Sequence, residues 1–176
     1  MCASLWGVSD ALLLVDVQRN MLLPPAPVLG AARVGARLGR LLEAARAAKV
    51  PVFHVRNCGP EGEPDEPGAA GWELVHEVRR GERVVDKGEC DAFEGTALGE
   101  LLPAGAELVV AGMQSEFCVR GTALGALRRG HRVALIRGAH ATYDAAVPAA
   151  VEEELRAAGV LVADSARFEG GARPGE

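Results

Sequence analysis

The sequence predicts an α/β fold with three layers, α/β/α, around a six-stranded, mostly parallel sheet of Rossmann-like layout. Apolar strand-length runs alternate with helical-period segments along most of the chain, the pattern that gives right-handed crossovers and parallel strands. The strand runs are continuously apolar, as strands covered on both faces must be. The chain has 176 residues, 49% of them hydrophobic, enough for one sizeable core and too few for two. It therefore reads as a single domain, 1–176, with its core at about 11–163.

In chain order, Ala11–Asp16 is the first strand, an apolar run closed by an acid and far too short to span a membrane. Val28–Lys49 is an amphipathic helix, with Val34, Leu38, Leu41, Leu42 and Ala45 on one face and Arg33, Arg37 and Arg40 on the other. Pro51–Arg56 is the second strand, proline being tolerated at its first position. Residues 57–82 form a long loop rich in Gly, Pro and acids, either a functional lid or an insertion, with a short ordered piece beginning at Trp72. Then come strand Arg83–Lys87, helix Thr96–Leu102, strand Glu107–Ala111, a turn at Gly112 and helix Phe117–Arg129. Strand Arg132–Ile136 follows, then helix Pro148–Ala158 with proline near its start and Gly159 past its end, and strand Val160–Ala163. The Gly/Pro-rich tail 168–176 is expected to be mobile or docked on a neighbour.

A net charge of −5 argues against an electrostatic grip on nucleic acid or anionic lipid, which leaves a small molecule as the expected partner. Met1–Leu5 lacks the basic start of a secretory leader. The four cysteines, Cys2, Cys58, Cys90 and Cys118, form no C-x-x-C pair and are too sparse for a disulfide framework. A cytoplasmic protein with free thiols is expected. Val17–Leu22, after the first strand, contains no glycine, which excludes a G-x-G-x-x-G phosphate cradle. No cofactor is expected, and no metal, since Cys58, Asp65 and His76 are irregularly spaced as ligands.

In an open parallel sheet, sites form beyond the carboxyl ends of the strands. Asp16 ends the first strand, Lys87 ends the third, and Cys118 opens the helix after the fourth. All but two of the 19 basic side chains are arginine, the exceptions being Lys49, at a helix end, and Lys87. Singly, each residue has an ordinary structural explanation. Together they supply a nucleophile, a cation and a helix N-terminus to lower the thiol pKa, and a carboxylate to take its proton. The turn Gly112–Glu116 can aim the amides of Gln114 and Cys118 at one point as an oxyanion hole.

Three motifs carry a family resemblance: Leu14-Val15-Asp16-Val17-Gln18, Asp86-Lys87, and Gly112-Met113-Gln114-Ser115-Glu116-Phe117-Cys118-Val119-Arg120-Gly121-Thr122. In this order, with Asp91–Thr96 and Ala139–Thr142, the chain resembles the isochorismatase-like cysteine hydrolases from about Ala11 to Ala163. The resemblance implies a catalytic triad of Asp16, Lys87 and Cys118, a cis peptide between Met113 and Gln114, and self-association as a dimer or higher homo-oligomer. Cys118 departs from isochorismatases proper, and the region after strand two lacks the D-x-H metal motif of nicotinamidases. The sequence is therefore more similar to the metal-free amidohydrolases of the superfamily, such as N-carbamoylsarcosine amidase and streptothricin hydrolase. These imply hydrolysis of a small amide, carbamoyl or lactam C–N bond through a Cys118 acyl-enzyme, with Asp16 as general base and Lys87 supporting the thiolate.

Six further residues are pocket candidates. Trp72, Phe93 and Phe117 fall in or beside loops at the expected active edge, either as an apolar wall or as a cluster pinning the long loop. Glu116 stands ready for a cationic or N–H-rich substrate or for the helix dipole, Gln18 can orient Asp16 or touch substrate, and His140 lies in a loop at the same edge. Two other functions compete: a redox-active thiol protein in which Cys90 resolves oxidised Cys118, and a non-catalytic oligomeric scaffold that keeps the triad by descent.

Overall fold

The computed structural model describes residues 9–170. Six strands form one sheet: β1 (Ala11–Val15), β2 (Val52–Asn57), β3 (Arg83–Lys87), β4 (Glu107–Met113), β5 (Arg132–Ala141) and β6 (Leu161–Ala163). Their spatial order is β3-β2-β1-β4-β5-β6, and every neighbouring pair is parallel. The helices are α1 (Arg19–Leu22), α2 (Ala31–Ala47), α3 (Leu98–Leu101), α4 (Arg120–Arg128) and α5 (Val147–Ala157). The chain order reverses at the β1–β4 junction, where an open parallel sheet leaves a crevice at its carboxyl edge.

Alternation along the central strands sorts the core into two layers. Leu12 and Leu14 of β1 and Val109 and Ala111 of β4 pack on one face against Val34, Leu38, Leu41 and Leu42 of α2. Leu13 and Val15, with Leu108 and Val110, pack on the other against Ala123 and Ala126 of α4 and Val151 and Leu155 of α5. Both faces of β1 are thus covered, which is why its residues are uniformly apolar.

Three expectations need correction. The helix after β3 is a single turn, Leu98–Leu101. β5 runs to Ala141, beyond the predicted Ile136, because a register shift between Val110 and Gly112 lets the strand resume pairing with His140 opposite Gly112. Phe168 and Glu169 dock on the chain's own α2: the Phe168 ring is buried in that face of the core, and Arg37 grips Glu169 at 2.5 and 2.9 Å. The rest of the tail, 171–176, and Cys2 lie outside the described residues.

At the β1–β4 junction only glycine fits position 112. Its φ is +130°, and a Cβ there would lie 1.9 Å from the Val15 carbonyl oxygen. The long loop is tied down at both ends. Near its start Asp65 accepts a hydrogen bond from Asn57, and near its end Glu82 is held by Arg46 of α2 (2.6 and 3.0 Å), His54 of β2 (2.9 Å) and the Arg79 amide. Burial opposes the Glu82 charge, but these donors overcome it and hold the carboxyl down at about 2.

A group whose folded pKa is depressed contributes stability above its unfolded value and loses it as pH falls through the folded one. The Glu82 contribution is therefore complete above about 4.5 and lost between there and about 2. Glu82→Gln should lower stability in urea titrations by about 2 kcal/mol at neutral pH. The difference from wild type should vanish near pH 2, and a constant difference from pH 7 to pH 2 would show that the charge is not its source.

Candidate active site

β1 ends at a backbone turn that aims its acid. Asp16 has φ +51°, in the left-handed region that Asp tolerates better than most residues, while its amide still bonds the Val55 carbonyl at 2.8 Å. Lys87 ends β3, two strands away with β2 between, so its side chain must cross β2 to reach Asp16. Neighbouring strands lie roughly 4.8 Å apart, a distance that suits a long unbranched stem. The ammonium meets Asp16 Oδ2 at 3.1 Å, Cys118 Sγ at 3.3 Å and Asn57 Oδ1 at 2.9 Å. The three residues named from sequence do converge, and all three come from the carboxyl edge.

Asn57 was missed. It ends β2 in register with Lys87 and supplies the acceptor under the lysine as it crosses. Its own side chain is fixed by donating to Asp65 Oδ2 at 2.7 Å. The one available signal was its place at the end of the strand that separates the other two. Gln18 proves to be the clamp for this residue. Its side-chain amide accepts from the Asn57 N–H and donates to the carbonyls of Asn57 and Trp72, so it points at backbone and not at substrate.

Cys118 lies in a single π-helical turn, Ser115–Val119, that leads into α4. The peptide between Met113 and Gln114 is cis, and the Gln114 carbonyl accepts the amides of Phe117 and Val119 at 3.2 Å each. The expected lowering of the thiol pKa is reversed. Burial pushes the thiol up and the Asp16 carboxylate adds to this, against the smaller opposing pull of Lys87. Burial also raises Asp16, with Lys87 opposing. Burial works against the Lys87 charge too, but the two acidic neighbours outweigh it and keep the ammonium protonated. The resting site is thus a thiol beside a carboxylate–ammonium pair. Asp16 Oδ1 is buried and has no hydrogen-bond partner, although every other polar atom of the trio is engaged.

The remaining candidates divide. Phe117 is 54% exposed beside Cys118, at the rim. Glu116 accepts from the Thr142 hydroxyl at 2.8 Å through Oε1, and its Oε2 is buried without a partner. Trp72 pins the long loop: its indole N–H donates to Cys58 Sγ at 3.4 Å, and the Arg56 guanidinium stacks 3.4 Å from the ring centroid. Phe93 is no pocket wall. It is a core side chain stacked on His131, which precedes β5 at the opposite, amino end of the sheet. His140 is buried behind the π-turn, where its Nδ1 meets Ser115 Oγ at 2.9 Å. Cys58, Asp65 and His76 do not converge, and among the described residues no three metal-ligating side chains form a cluster.

The chain is 49% identical over 145 residues to a streptothricin hydrolase of Streptomyces noursei, a match that covers 80% of this chain and 52% of that protein. A second streptothricin hydrolase from the same organism is 50% identical with 57% of its length covered, so this chain spans little more than half of either relative. An isochorismatase from Pseudomonas putida superposes with a TM-score of 0.78 at 30% identity, covering 90% of this chain and 91% of the other. N-carbamoylsarcosine amidase from Thermoplasma acidophilum superposes with a TM-score of 0.79 at 25% identity, covering 89% and 96%. The isochorismatase domain itself matches residues 10–167, which contain every strand, the crossing lysine and the π-turn with its cysteine, and the chain belongs to that family.

Proposed function

We propose that the chain is a cysteine-dependent hydrolase of a non-peptide C–N bond in a small amide, carbamoyl or lactam substrate. The observation that carries this reading is the buried Lys87 ammonium, which holds a carboxylate at 3.1 Å and a thiol at 3.3 Å while one Asp16 oxygen is left unpartnered. The relatives named for amide and streptothricin hydrolysis support it.

In this mechanism Cys118 attacks the carbonyl carbon as Asp16 takes the thiol proton. The raised pKa of Asp16 makes it a stronger base than an exposed carboxylate. The amides of Gln114 and Cys118 meet the negative oxygen of the tetrahedral intermediate. The C–N bond then breaks, Asp16 returns the proton to the leaving nitrogen, and a thioester remains on Cys118. Water adds to this thioester as Asp16 takes its proton, the C–S bond breaks to release the acid product, and Asp16 returns the proton to the Cys118 sulfur. Lys87 keeps its charge throughout and stabilises whichever neighbour is anionic.

Intact-mass spectrometry after brief incubation with streptothricin, and then with pooled small amides, ureides and lactams, should show an acyl adduct that maps to Cys118. The adduct should be absent in Cys118→Ala, and hydrolysis should be lost in Asp16→Asn with the fold unchanged by circular dichroism. Full activity in either variant would sink the mechanism. Lys87→Arg should lower kcat/KM by roughly 100-fold, because a planar fork cannot replace a point charge that three acceptors surround. Asn57→Ala should cost about 10-fold, with Lys87 less well held but still present; an unchanged rate would make Asn57 a bystander.

A further inference from the structure

We propose that His140 is a positioning residue: anchored by Glu152, it locks Ser115 and so holds the Gln114–Cys118 turn in its working geometry. This rests on the function proposed above for the catalytic benefit, though not for the lock itself.

The register shift in β5 sets His140 opposite Gly112 and Ala141 opposite Met113, so the strand end runs alongside the segment leading into the π-turn. Two side chains from this stretch grip that turn. His140 Nδ1 meets Ser115 Oγ at 2.9 Å, while the Thr142 hydroxyl reaches Glu116 Oε1 at 2.8 Å and Gln114 Oε1 at 3.4 Å. Ser115 and Glu116 are thus held from β5 and the residue following it, with the Gln114 side chain in reach of the same Thr142 hydroxyl.

The proton on His140 can be assigned from its neighbours. Nε2 lies 3.4 Å from Glu152 Oε1, where the N–H dipole of a neutral ring faces the carboxylate, out of line for a full hydrogen bond. A carboxylate only accepts, so the ring proton belongs on Nε2, which leaves Nδ1 to accept from the Ser115 hydroxyl. Burial keeps the imidazole neutral by lowering its pKa, against the pull of Glu152. Glu152 is fixed in turn by Arg137 Nε at 3.1 Å. Carboxylate, imidazole and hydroxyl in sequence would suit a nucleophilic serine, but Ser115 is 0% exposed and cannot meet a substrate. What it can do is fix the backbone between the cis peptide and Cys118. Behind the imidazole lies a cavity of about 350 Å³, lined by His140, Thr142, Glu152, Arg33 and Pro148 and separate from the catalytic trio.

The test compares His140→Ala, His140→Asn and Ser115→Ala with wild type by hydrogen exchange at residues 114–119 and by steady-state kinetics on whichever substrate acylates Cys118. In His140→Ala and Ser115→Ala, exchange of the Phe117 and Val119 amides should accelerate about 10-fold while the central strands stay protected. kcat should fall about 30-fold in His140→Ala with KM within about twofold, since the turn and not the binding wall has moved. His140→Asn, whose amide oxygen can take the Nδ1 position, should keep most of the wild-type kcat. Free imidazole should restore part of the His140→Ala rate by entering the vacated space next to the cavity. Unchanged exchange at 114–119 in both alanine variants would overturn the lock. Faster exchange with an unchanged kcat would overturn its role in catalysis. If wild type hydrolyses nothing offered, the proposed function fails on its own, and the exchange measurements still decide the lock.

Discussion

One buried cation organises this protein's carboxyl edge. Lys87 reaches from β3 across β2 and joins Asp16 from β1, Asn57 from β2 and Cys118 from the turn after β4. An ammonium in such a place must be surrounded by acceptors, because an unpaired buried charge costs several kcal/mol. Each partner is accordingly fixed by something else. Asp16 is aimed by a left-handed backbone bonded to Val55, Asn57 is gripped by Gln18 and Asp65, and Cys118 is set by the π-turn. Loosening any of these would leave the lysine without part of its shell.

The same burial sets the chemistry. Out of water, the carboxyl and thiol pKa values both rise, and the cation between them moderates both without reversing either. In the mechanism proposed above, a thiol protonated at rest gives up its proton as it attacks, and the unpartnered Asp16 oxygen is the group that receives it. The mechanism proposed above needs no thiolate stabilised in advance, because its general base would already be in contact with the cation.

Around this centre the fold uses irregularity where regular structure would fail. A glycine at 112 lets β4 close against the Val15 carbonyl, and the register break beside it lets β5 run on as far as the π-turn that carries Cys118. The long 57–82 segment reads by composition as a lid or an insertion, but Asn57–Asp65 ties it to the residue that bonds Lys87 and Arg46–Glu82 ties it to α2.

The layer architecture, the order of elements and the convergence of Asp16, Lys87 and Cys118 on one edge were legible in the residues alone. Apolar runs of strand length that alternate with helical-period segments suit strands buried on both faces, and Asp16, Lys87 and Cys118 stand at strand ends or helix openings that a parallel sheet brings to one edge. Tertiary structure alone decided the rest. Asn57 is an ordinary polar residue until the sheet order puts β2 between β1 and β3, and His140 is a loop histidine until a register shift lengthens β5. Phe93 sits in a loop expected at the active edge, which suits a pocket wall or a loop-pinning cluster, yet its ring packs at the far end of the sheet. The direction of the thiol pKa went the same way. Spacing suggests which charges are near a group, but the degree of burial decides which of them wins, and burial belongs to the folded whole.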